Sequence, residues 1–173
     1  EISLWARNLE LRGGAEISSA SLSKQDNAGP GGSIKINVSH ISLDGHRPDG
    51  IPTGITAASE GPGLAGDIDI YAGHSLVLAG GAEIATRAEQ ADGGNIDIQV
   101  GHLLKLSDSR IVTSVGSGRC NCCNIDIDPE FVVLDNSLIQ ANAYGGDGGN
   151  IRIVTDHLVA STDSRIDASS ALG

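Results

Sequence analysis

The chain has 173 residues and a formal net charge of -11, with 24 glycines, no methionine and only one Trp, two Tyr and one Phe. That length fits one domain, whose core must be built from Ile, Leu, Val and Ala rather than from rings. The acidic balance, without a basic run, excludes the clustered Lys/Arg that nucleic acid and anionic membrane surfaces reward, and no apolar stretch is long enough to insert into and span a bilayer.

Taken in order, the chain repeats one short unit. Ile2-Ser3-Leu4 is followed by Ser33-Ile34-Lys35-Ile36, Asp67-Ile68-Asp69-Ile70, Asn95-Ile96-Asp97-Ile98, Asn124-Ile125-Asp126-Ile127 and Asn150-Ile151-Arg152-Ile153. The first Ile of each copy recurs at steps of 32, 34, 28, 29 and 26 residues. A period in this range signals a repeat architecture. Within each copy, apolar residues at every second position predict three short strands with one buried face. The second strand carries Leu9/Leu11, Ile41/Leu43, Leu76/Leu78, Leu104/Leu106, Val132/Leu134 and Leu158/Ala160. The third carries Ile17/Ser19, Ile55/Ala57, Ile84/Thr86, Ile111/Thr113, Ile139/Ala141 and Ile166/Ala168. No segment has a helical period.

Three like strands per repeat have one economical arrangement. The chain coils, each strand pairs in parallel with its copy in the next coil, and Ile stacks on Ile. The expected fold is therefore all-β: a parallel β-helix solenoid of about six rungs of three short strands, with three flat sheets and a thin aliphatic core. At about 4.8 Å per rung its length is on the order of 25–30 Å. The chain starts inside one repeat and stops just after the third strand of another. Residues 1–173 therefore read as a single repeat segment excerpted from a longer chain, and Glu1 opens no signal-peptide pattern.

The corners fit this coil. Ser33, Asp67, Asn95, Asn124 and Asn150 form a column of short polar side chains, able to hydrogen-bond backbone and one another. Turn formers mark the second corner at Gly13-Gly14, Gly80-Gly81, Asp108-Ser109, Asn136-Ser137 and Asp163-Ser164. Asp44 to Gly50 is a surface excursion of the second rung. The third corner is the long one and makes a ridge of Gly-rich loops.

Copies of the form Gly93-Gly94-Asn95-Ile96-Asp97-Ile98 and Gly148-Gly149-Asn150-Ile151-Arg152-Ile153, with Asn136-Ser137-Leu138-Ile139-Gln140-Ala141, resemble the shaft repeats of filamentous-haemagglutinin-type exoproteins of the two-partner secretion pathway. The resemblance covers essentially the whole chain. It implies a right-handed β-helix, export through an outer-membrane secretion partner, and a structural or adhesive role, secreted or at the bacterial cell surface, with host or cell-surface glycans or proteins as ligands. The cysteines depart from the pattern.

Three constellations are candidates for chemistry. An outward column on the first strands holds Asp69, Asp97 and Asp126 between Lys35 and Arg152. Stacked carboxylates raise one another's proton affinity or recruit a hard cation such as Ca²⁺. With Ca²⁺ they would suit a polysaccharide-acting β-helix enzyme, but a solvated charge ladder is the stronger reading. Counting six past each first Ile gives Asn8, His40, His74, His102, Phe131 and His157. Four imidazoles in register can share Zn²⁺ or Ni²⁺, respond to pH, or simply stack, and Phe131 favours stacking. Cys120, Cys122 and Cys123 cluster in one loop. They allow a loop disulfide, a soft-metal site, or cross-links between rods in a self-assembling extracellular filament, which open rung ends would extend end to end. No catalytic triad, phosphate loop or nucleophile elbow is present, so the chain reads as a non-enzyme without a required cofactor. Aromatics for stacking sugars are few: Trp5, Tyr71, Phe131 and Tyr144.

Overall fold

Burial alternates along the strands as a half-buried pleat demands. In the strand from Ile34 to Asp44, Ile34, Ile36, Val38, Ile41 and Leu43 point inward, and Lys35 and Asn37 point out. A computed structural model describes residues 1–25, 27–119, 123–145 and 148–170. The first rung contains β1 (Ile2–Trp5), β2 (Asn8–Arg12) and β3 (Glu16–Ser21). The next four each contain one long and one shorter strand: β4 (Ile34–Asp44) and β5 (Gly54–Ser59), β6 (Ile68–Ala79) and β7 (Glu83–Ala88), β8 (Ile96–Ser107) and β9 (Arg110–Arg119), β10 (Ile125–Asp135) and β11 (Leu138–Gly145). The sixth contains β12 (Ile151–Ile153), β13 (His157–Ala160) and β14 (Arg165–Ser170). Among the described residues there is no helix.

Every pairing between these strands is parallel, and each joins a rung to the next. One sheet runs β1-β4-β6-β8-β10-β12, with β2 on β4 and β13 on β10; the other runs β3-β5-β7-β9-β11-β14. The chain is a parallel β-solenoid of about six turns, as the repeat predicts. Ile2, Ile34, Ile68, Ile96, Ile125 and Ile151 fall in one register column. Ile34, Ile68, Ile96 and Ile125 are all essentially inaccessible. Fully burying an Ile side chain is worth roughly 1.5–3 kcal/mol, so this column and its neighbours carry the fold. Ile2, Leu4 and Ile17 at one end, and Ile151 and Ile153 at the other, pack against the core but are only partly buried.

The expectation of three flat sheets is corrected to two hydrogen-bonded sheets. In the four middle rungs the first and second strands are continuous through the corner. Rungs three and four pass it with two residues, Gly73-His74 and Gly101-His102, where the flanking rungs have only Ser39 or Glu130. Such a two-against-one bulge bends a strand without ending its ladder. A side chain on Gly101 would sit 2.1 Å from the Gly73 carbonyl oxygen, so the bend needs glycine there.

The other corners are held by side chains. The backbone N–H groups of Asn95, Asn124 and Asn150 donate to Asp67 Oδ1, Asn95 Oδ1 and Asn124 Oδ1 at 2.8, 3.1 and 3.1 Å. Their own Nδ2 groups donate to the same oxygens at 3.3, 3.2 and 3.0 Å. At the second corner Asp108 and Asn136 take positive φ values of 50° and 45°, where earlier rungs have Gly13 and Gly80. Asn and Asp are the non-glycine residues that tolerate this best. The excursion after β4 returns through a His46–Pro52 bridge, and Thr53 Oγ1 closes it by donating to the Asp44 carbonyl at 2.9 Å.

Candidate functional site

The solenoid turns sequence spacing into surface columns, and the outward column of the first strands is the most chemically varied. Ser3, Lys35, Asp69, Asp97, Asp126 and Arg152 are register partners in that order. The partners of its charges are particular. Arg152 Nη1 donates to both carboxylate oxygens of Asp126 at 2.9 and 3.2 Å. Gln99 Nε2 donates to Asp97 Oδ1 at 3.2 Å. Lys35 turns towards Glu1, 3.2 Å away, rather than pairing with Asp69. Asp69 is left with no cation in ion-pair contact among the described residues. Its carboxyl is held above the usual aspartate range, first by partial desolvation, then by the charges of Asp67 and Asp97; Lys35 opposes this.

The histidines form a second column at the bulged corner. The rings of His40, His74, His102, Phe131 and His157 make a continuous series, with successive centroids 5.1, 5.5, 5.1 and 4.9 Å apart. Two contacts are edge-on and two are stacked, the offset arrangements that ring quadrupoles prefer. The backbone ladder pairs His40 with Ser75 and Phe131 with Leu103. The extra residue in rungs three and four therefore leaves the rings aligned while the hydrogen bonds step past them. His40 Nδ1 lies 3.0 Å from Ser75 Oγ, and His102 Nδ1 lies 2.6 Å from Glu130 Oε2.

Neither column gathers a metal-binding set. Among the described residues no group of three or more His, Cys, Asp or Glu side chains is placed to hold an ion. Asp69, Asp97 and Asp126 line up without converging, and His40, His74, His102 and His157 meet through their rings. Cys123 is fully buried with Ala65, Ala88, Val115 and Ala143 beneath the loop ridge, and it is disulfide-bonded. Its side chain is inaccessible to solvent. Cys120 and Cys122 lie outside the described residues.

Sequence reasoning missed three features. Glu83 is only 1% exposed, and its carboxylate is held by the guanidinium groups of Arg87 and Arg110. Thr86 and Thr113 take the inward third-strand positions expected of them, and what the repeat did not show is their bonding: they donate to the carbonyls of Gly94 and Cys123 at 2.8 Å and so tie the third strand to the first corner. Trp5, Asn37, Tyr71, Gln99 and Asp128 form a further outward column beside the aspartates. Counting three past each first Ile would have found this last one.

Comparison with known proteins gave no matching family model, curated protein or solved structure.

Proposed function

We propose that this chain is a shaft segment of an exported bacterial surface protein of the filamentous-haemagglutinin type, acting as a stiff spacer that carries adhesive surface outward. The observation that supports the reading is the unbroken parallel ladder. Each of the six rungs hydrogen-bonds to its neighbours along the solenoid axis through both sheets. The Ser33–Asn150 column adds a side-chain ladder parallel to it. Bending such a rod means stretching several hydrogen bonds and unpacking stacked Ile at once, so it transmits position and force without a hinge. Its mechanism is mechanical, and its length scales with the number of rungs.

Export is tested with an antibody raised against this chain. On intact, unpermeabilised cells of the source organism, the reading predicts surface labelling that disappears when the outer-membrane secretion partner is deleted. Labelling only after permeabilisation contradicts it.

A further inference from the structure

The chain has four Trp, Tyr and Phe residues in all, and two of them line one groove on the outer face of the first sheet. Trp5 is 72% exposed and Tyr71 50% exposed. Single exposed apolar side chains need no explanation, but exposed rings that border one hollow together mark a contact surface, as Trp5 and Tyr71 do. They lie in one register column two rungs apart, about 9.6 Å along the solenoid axis, with Asn37 between them. The hollow they border is about 260 Å³, and its polar side is supplied by Asp69, Asp97 and Gln99. Lys35 also borders it but is ion-paired to Glu1.

We propose that this groove binds a neutral, extended β-1,4-linked glycan lying parallel to the solenoid axis. An aromatic face stacks on the C–H face of a pyranose ring, while carboxylates and amides at its side accept from and donate to equatorial hydroxyls. A β-1,4-linked chain is nearly straight, advances by about one rung per sugar, and presents the same face on alternate sugars. Trp5 and Tyr71, separated by one intervening rung, meet that repeat, and Asn37 faces the sugar between. The two carboxylates beside the rings disfavour acidic glycans by like-charge repulsion. An α-linked glucan coils away from this straight, rung-matched track. Glycan binding in this groove does not depend on export, and a rigid rod does not depend on the groove.

Trp5 is the chain's single tryptophan, so its fluorescence reports on the groove directly. The test titrates the full chain with cellohexaose and, separately, with maltohexaose. Cellohexaose is expected to shift and saturate the Trp5 emission, with maltohexaose at least tenfold weaker. Tyr71→Ala is expected to weaken cellohexaose binding about tenfold, Tyr71→Phe to retain most of it, and Tyr144→Ala, an exposed aromatic away from the groove, to leave it unchanged. Because Tyr71 lies on the surface, an unchanged circular dichroism spectrum and melting midpoint confirm that its variants fold. No saturable response to cellohexaose, equal responses to both sugars, or full binding by the folded Tyr71→Ala variant overturns the proposal.

Discussion

A carboxylate on the outer face of a solenoid meets its own kind on the rungs above and below. Asp69 shows the consequence, because the nearest candidate cation, Lys35, is engaged by Glu1. Its carboxyl takes up a proton more readily in the folded chain than in the unfolded one. Stability therefore falls as pH rises from the ordinary aspartate range through the raised folded value, and the penalty persists in full above it. Asp69→Asn is expected to make the protein slightly more stable at neutral pH, by less than about 1 kcal/mol given the exposure of the site. It should also flatten the stability profile just above the ordinary aspartate range. Urea-unfolding midpoints at several pH values check this; a variant less stable than the parent at neutral pH contradicts it. At this scale, positions were legible and partners were not. Counting from each first Ile placed Asp69, Asp97, Asp126 and Arg152 in one column. It could not place Lys35 on Glu1, or Gln99 on Asp97, because those choices cross between columns and depend on how long side chains fold over the surface. Glu83 was hidden for the same reason: a charge beside a third-strand Ile reads as solvated until Arg87 and Arg110 are seen to close over it.

Between elements, the corners decide the shape. The short polar column at the first corner was legible, since five like residues one period apart have little else to do than bond to one another. Its consequence is measurable. Asn124 is joined to the rungs on both sides: its N–H and Nδ2 donate to Asn95, and its Oδ1 accepts from the N–H and Nδ2 of Asn150. Asn124→Ala keeps the backbone donor but removes its ladder to Asn150 and leaves polar groups unmatched, which is expected to cost about 1–3 kcal/mol. Asn124→Asp retains the acceptor, as Asp67 does in its rung, and should lose less. Thermal melts of the three proteins give the order; equal loss in both variants, or none in Asn124→Ala, would refute the ladder's role. The merging of first and second strands was not legible. Apolar alternation breaks between Val38 and Ile41 and between Ala72 and Leu76, and a break in period reads as a strand end. The backbone absorbs it as a bulge instead, and in the fourth rung Gly101 lets it pass close to the Gly73 carbonyl. The imidazole column was found by the same counting that ignored this extra residue, since side chains realign where the hydrogen bonds do not.

For the whole molecule, repetition made the architecture legible. Six copies of one pattern leave a single way for every strand to bury its apolar side, and the parallel solenoid follows. The stacking also means that each rung is stabilised chiefly by its two neighbours, so stiffness and length are properties of the array rather than of any one residue. Function is less legible for the same reason: a pattern that specifies the inner face leaves the outer face free to vary. There the carboxylate column, the ring stack and the Trp5–Tyr71 groove differ from rung to rung. Electron microscopy of the native material from its source decides whether these rungs belong to a rigid shaft. Straight rods of uniform width are expected, extending by about 4.8 Å for every rung of sequence, and unchanged by reductant because the ladder rather than disulfide links holds the axis. Compact particles, or rods that fall into short pieces on reduction, would contradict a rigid shaft.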